Sequence, residues 1–138
     1  MIFQNEKANL IPIQKEFFMS VSYKVGEMGE RPWGTWEVLA VGSNYIVKRI
    51  IVNPHQKLSL QSHEFRSEHW IIASGTGTVT LDDETFDTPQ DTHIYIEKQQ
   101  KHRMENKTDF PVVFIEVQTG DTLDENDIQR YEDIYGRV

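Results

Sequence analysis

Cysteine is absent from the 138 residues. That excludes disulfides, thiolate metal ligands and a cysteine nucleophile. Long apolar runs are absent too. No segment approaches the ~20 apolar residues of a membrane span, and the opening MIFQNEKANLIPIQKEFF has no uninterrupted apolar stretch of the signal-peptide kind. The expectation is a cytoplasmic protein with no membrane partner. Positive charge is in deficit: 14 Lys and Arg against 22 Asp and Glu give a net charge of −8 and a pI of about 5.0. This balance argues against a general nucleic-acid binder, but a local basic site can still hold one phosphate. A helical period is missing before residue 124, as are internal repeats and low-complexity segments. The composition, 38% hydrophobic and 26% charged, suits one globular domain large enough to bury a core.

Short strands separated by tight turns fill most of the chain. Thr35 to Val41 and Tyr45 to Asn53 flank the turn Gly42-Ser43-Asn44. Further runs lie at Thr76 to Leu81, Thr85 to Asp87, Thr92 to Ile96, His102 to Glu105 and Pro111 to Gln118. The expected class is therefore all-β, a sandwich or barrel. Residues 1–30 are expected to form an N-terminal arm at a subunit interface, with a loop around Gly26 and Gly29. The folded domain would span 31–138, and the assembly would be a homodimer, the arm covering an exposed strand edge. The tail LDENDIQRYEDIYGRV changes character. Asp124 or Asn126 can cap a short helix, and Ile128, Tyr131 and Ile134 recur every three residues. Arg130 and Arg137 sit in this acidic stretch, where a solvated or salt-bridged arginine is the commoner fate.

The densest chemistry lies in LSLQSHEFRSEHWIIASG, Leu58 to Gly75. Strand alternation puts Ser59, Gln61 and His63 on one face and Leu58, Leu60 and Ser62 on the other. After a turn, Glu68 shares a face with Trp70 and Ile72, while His69 points away. Gln61, His63 and Glu68 can thus converge on a metal, and His102, after DTHIYI, is the best candidate for a fourth ligand. In YIVKRIIVN, Lys48 and Arg49 face opposite sides. Lys48 shares its side with Ile46, Ile50 and Val52, which makes it the candidate for an inward lysine; the alternative is a lysine on a solvated face.

Gln61, His63, Glu68, Gly75, His102 and Asn106 resemble the two-part cupin metal motif in spacing, with Gln61 at the first histidine position. The departures are His55 in place of the first glycine, and Asp91, Glu97 and Gln99 at the Gly, Pro and Gly of the second half. The likeness implies a jelly-roll double-stranded β-helix with a short C-terminal helical segment. RPWG, YIVKRI, LSLQSH, RSEHW, GTGTV, HRMEN, IEVQTGDTL and DIYGR, in that order, resemble the C-terminal domain of type II phosphomannose isomerases over roughly residues 31–137. That family is usually fused to a GDP-mannose pyrophosphorylase. This chain has no glycine-rich nucleotide loop before RPWG, so the resemblance implies a free-standing isomerase domain.

The resemblance implies interconversion of mannose 6-phosphate and fructose 6-phosphate. It implies a divalent metal (Zn, Mn, Co, Ni or Fe) on Gln61, His63, Glu68 and His102, polarising a sugar oxygen. Lys48 and Glu116 are both candidates for the base. Arg66 and Arg137 are candidates for binding the phosphate, and Arg66 also for steadying the enediolate. Two other readings stand beside this one. The first is a non-catalytic cupin that binds a sugar or sugar phosphate. The second is another cupin enzyme, such as a sugar epimerase or a metal-dependent oxygenase.

Overall fold

The computed structural model describes residues 22–138. The expected arm and its place in an assembly lie largely in residues 1–21, outside the described residues. The described chain folds into two antiparallel sheets packed face to face. The strands are β1 (Met28–Arg31), β2 (Gly34–Val41), β3 (Tyr45–Val52), β4 (Leu60–Ser62), β5 (Ser67–Ser74) and β6 (Gly77–Leu81). They continue with β7 (Glu84–Thr88), β8 (His93–Ile96), β9 (His102–Glu105), β10 (Val112–Thr119) and β11 (Gln129–Glu132). The six-stranded sheet has the order β1-β2-β3-β10-β5-β8, and the five-stranded sheet β11-β4-β9-β6-β7.

The period of two governs burial. In β3, Ile46, Lys48, Ile50 and Val52 are buried and their neighbours are not; in β10, Val112, Phe114, Glu116 and Gln118 are. The Trp70 and Phe114 rings pack at a tilt with centroids 4.7 Å apart in the core, where both are fully buried. Toward one end the inward positions change from apolar to Lys48, Glu68, Glu116 and Gln118, so the sandwich opens into a polar cavity there. Glu116 lies directly opposite Lys48 on one side and Trp70 on the other.

Two expectations about local structure are corrected. Gly29 is part of a strand, not a loop: β1 pairs with β2, and Tyr23 just before it is buried edge-on against Trp36. The tail holds no helix; among the described residues every regular element is a strand. Residues 129–132 pair with the edge of β4 (Gln129 with Ser62, Arg130 with Gln61), and Ile134, expected on the packed stripe, is 56% exposed. The unpaired backbone of β4 claims this segment, and tertiary pairing overrides a weak three-residue period. Asp124 caps a turn through the Asn126 amide, and Asp127 accepts the Glu64 and Phe65 amides at 2.8 and 3.0 Å, fixing the β4–β5 turn.

The turn departures keep a glycine-like backbone. His55, Asp91 and Gln99 all have positive φ (61°, 72° and 66°), so the turns survive although glycine does not. Asn106, the last residue of the motif, stays out of the cavity. Its amide donates to the Val52 and Phe110 carbonyls and its oxygen accepts from Thr108, which anchors the β9–β10 turn.

Candidate metal centre and active site

β4, β5 and β9 each supply part of one cluster. His63 Nε2 lies 3.1 Å from Glu68 Oε1, and His102 Nε2 lies 3.8 Å from Glu68 Oε2. Ligand atoms of the three residues fall within 4.8 Å of one another, and all three side chains are buried. Gln61 is the cross-strand partner of His102 and lines the same cavity. The four residues read as ligands are therefore brought together. His69 is turned outward as strand alternation requires, with its Nδ1 3.1 Å from His93 Nε2 on the outer face.

The imidazole tautomers are set from behind. His63 Nδ1 is 2.7 Å from the Asp127 carbonyl and His102 Nδ1 is 2.9 Å from the Gln100 carbonyl. A carbonyl only accepts, so each Nδ1 carries a proton, and in a neutral ring Nε2 is then the lone-pair side that faces the cavity. His102 Nε2 is buried and has no hydrogen-bond partner among the described residues. Two imidazole nitrogens and a carboxylate converge in a buried space, and this donor set fits a borderline divalent metal. Burial pushes His102 down to about 4 despite the opposing pull of Glu68, so it stays neutral and ready to ligate. Burial opposes ionisation of Glu68, but His63 and Arg66 outweigh it and hold the carboxyl well below its ordinary range.

Arg66 sits against this cluster. It donates from Nε to Glu68 Oε1 at 2.9 Å, its NH2 is 3.2 Å from His63 Nε2, and it is buried. On the same sheet as Glu68, two strands away on β3, Lys48 Nζ lies 3.9 Å from the centre of the Tyr23 ring and 4.6 Å from that of Trp36. Burial lowers the lysine pKa against the pull of Glu116. Burial and the charge of Glu68 raise the Glu116 pKa, against Lys48 and Arg66. The two groups are thus shifted toward each other, the direction that favours proton exchange between them. Arg137 lines the cavity but spends its fork on Asp133, at 2.6 and 3.0 Å.

Two participants were missed in the sequence. Gln118 donates to Glu116 Oε1 at 2.6 Å. Alternation along Val112–Thr119 would have placed it beside Glu116, two residues away. Tyr23 lies in the stretch read as arm, where no pattern marks it as a wall of the cavity.

The sequence profile of the family described as mannose-6-phosphate isomerase, C-terminal, matches residues 20–133. The chain is 47% identical over 108 residues to the alginate biosynthesis protein AlgA of Pseudomonas aeruginosa, which covers 78% of this chain and 22% of the relative. It is 43% identical over 108 residues to the mannose-1-phosphate guanylyltransferase ManC of Salmonella typhimurium, again 78% of this chain and 22% of that one. The chain thus spans about a fifth of the length of these curated relatives. Among solved structures, a sugar phosphate isomerase from a cupin superfamily of Silicibacter pomeroyi superposes with a TM-score of 0.54 at 18% identity, over 61% of this chain and 59% of the other. The structural likeness carries the fold alone.

Proposed function

The chain belongs to the mannose-6-phosphate isomerase C-terminal family and has the cupin fold, and on that premise we propose that it interconverts mannose 6-phosphate and fructose 6-phosphate. The observation that carries this reading is the convergence of His63, Glu68 and His102 in one cavity that the shifted pair Lys48 and Glu116 also lines. His63, Glu68 and His102 would hold a divalent metal, with Gln61 as a neutral fourth donor. When bound, that metal supplies Lewis-acid polarisation of the sugar oxygens at C1 and C2.

The residues of the chain divide the rest of the work. The Lys48–Glu116 pair takes the proton from C2; the C–H electron pair becomes the C1=C2 bond as the C1=O π pair moves onto O1, giving an enediolate. The O2 hydroxyl proton is passed to O1, the C2=O bond forms, and the C1=C2 pair takes a proton back from the same two residues at C1, so no external oxidant is needed. Arg66 steadies the charge that develops on the enediolate oxygens, because its guanidinium is already fixed beside the cluster. Trp36 and Tyr23 wall off Lys48 and keep its amine poorly solvated. Arg137 belongs to the end of the cavity that takes the phosphate.

The test is a coupled assay of mannose 6-phosphate isomerisation on purified protein supplied with each candidate divalent metal. Turnover abolished by EDTA and restored by metal is expected. Metal-loaded protein that binds mannose 6-phosphate in calorimetry yet never turns it over would replace this reading with a non-catalytic sugar-phosphate binder.

A further inference from the structure

Arg130 and Arg31 line the same cavity as the acidic and histidine cluster, yet neither has a role in the chemistry above. Arg130 is the cross-strand partner of Gln61, and Gln61 is the partner of His102. The three residues form one row across β11, β4 and β9. Arg130 therefore stands two strand spacings, about 10 Å of backbone, from His102. Its Nε is buried and has no hydrogen-bond partner among the described residues. A buried guanidinium nitrogen left unpaired is costly, unless an anion completes it when the site is filled.

The other arginines around the cavity are committed. Arg66 is engaged with Glu68 and His63, and Arg137 gives Nε and NH2 to Asp133. Arg31 donates one NH1 bond to the Glu30 carbonyl and lies over the Trp36 ring at 5.5 Å. Burial, then the nearby charges of Arg137 and Arg31, disfavour the charge on Arg130, and Asp133 opposes them only in part. Positive charge is thus concentrated at one end of the cavity of a protein whose net charge is −8.

We propose that Arg130, with Arg31 at the rim and Arg137 beside it, is the subsite for the phosphate monoester of the substrate. This deepens the sugar-phosphate isomerase reading and rests on it. An open-chain hexose 6-phosphate separates C2 from phosphorus by six bonds, which suits one end at His102 and the other two strands away at Arg130. The planar fork of Arg130 matches two phosphate oxygens, and Arg31 adds charge without needing a fixed geometry.

Calorimetric titration of inorganic phosphate, mannose 6-phosphate and mannose into wild type, Arg130→Gln, Arg130→Lys and Arg31→Gln tests the subsite, with bound metal measured in each. Arg130→Gln is expected to weaken both phosphate-bearing ligands about 10- to 100-fold, the loss of one charge-assisted contact. Mannose affinity and metal content should not change. Arg130→Lys keeps the charge without the fork and should fall between. Arg31 is exposed, so a several-fold loss in Arg31→Gln reads charge without disturbing the sheet. Phosphate binding lost in Arg130→Gln upholds the subsite even if wild type never isomerises. Phosphate affinity equal to wild type in Arg130→Gln and Arg130→Lys, or no phosphate binding by wild type, overturns it whatever the turnover.

Discussion

Residues 60–74 and residues 124–137 face the same cavity, and they reach it by different means. In the first, β4 and β5 form consecutive strands, and each side chain's direction follows from its own position in the alternation. In the second, Arg130 and Tyr131 reach the cavity and the Ser62 hydroxyl only because the segment pairs with a strand about 70 residues earlier in the chain. One half of the site is determined locally, the other by long-range pairing. The local half carries Gln61, His63 and Glu68, three of the four groups proposed to meet on a metal, and β9 adds His102. The distant half carries arginines and turn-capping acids, whose work tolerates a looser fit.

Breaking the local half should have the largest effect. His63→Ala and Glu68→Ala are each expected to lower bound metal to near zero, and turnover with it, while His69→Ala keeps both. His69 differs from Glu68 by one position, so the three variants test the alternation itself. Elemental analysis of the purified proteins reads the outcome. Metal loss in His69→Ala equal to that in His63→Ala would show that geometry on β5 does not decide which residues act.

Arg66 lies in the same half, in the turn between β4 and β5, and removing it should separate chemistry from assembly. Arg66→Ala is expected to retain metal and to lose about 10²–10³ in kcat, the scale of a single transition-state donor. Arg66→Lys should recover little, because an ammonium cannot donate to Glu68 and the substrate in one plane. A kcat within a few-fold of wild type in Arg66→Ala would move the charge-stabilising role to Lys48.

The same contrast explains what the sequence made legible. The strands from Thr35 to Gln118 were readable because apolar residues alternate within each, and the inward turn of Lys48 followed from Ile46, Ile50 and Val52. The convergence of His63, Glu68 and His102 was readable because motif spacing stands in for tertiary contact. β11 was not, because Ile128, Tyr131 and Ile134 carry a helical period and nothing local records that β4 has a free edge. Tyr23 and β1 were not, because glycines and charges around them look like a loop. The role of Gln118 needed only the alternation already applied to Glu116.

Weakening the distant half should cost stability more than chemistry. The Arg137 hydrogen bonds hold the Asp133 carboxyl down to about 2, against the burial that opposes them, from an ordinary value of 3.8. A depressed folded-state pKa contributes stability that is full above the unfolded value and is lost as pH falls through the folded one. Wild type should therefore lose about 1–2 kcal/mol from this pair between roughly pH 4 and pH 2. Asp133→Asn should lack that increment at pH 6 and approach wild type below about pH 2. Urea unfolding of both proteins across this range measures it. An identical pH profile in the variant would mean that the tail is held by β11 pairing alone.

The smallest effect concerns the turn between β8 and β9, in the second half of the motif. Gln99 donates its amide to the His63 carbonyl at 2.7 Å, so this turn braces a cluster residue from across the sheet. It does so with a φ of 66°, which a glutamine adopts only at a cost of about 1–2 kcal/mol. Its side chain returns little, a single contact of 3.4 Å to the exposed Glu64. Asp91 tolerates the same conformation better, as short polar side chains do, so Gln99 is the position where glycine should help most. Gln99→Gly relieves the strain but gives the unfolded chain more freedom, leaving a net gain of about 0.5–1 kcal/mol, or ~2–4 °C in Tm. Gln99→Ala keeps the strain and should gain nothing. If alanine and glycine stabilise alike, the effect lies in the lost side chain and the left-handed turn is not strained. If glycine destabilises, rigidity of this turn is what holds His63 in place, and the local half of the site depends on a segment outside it after all.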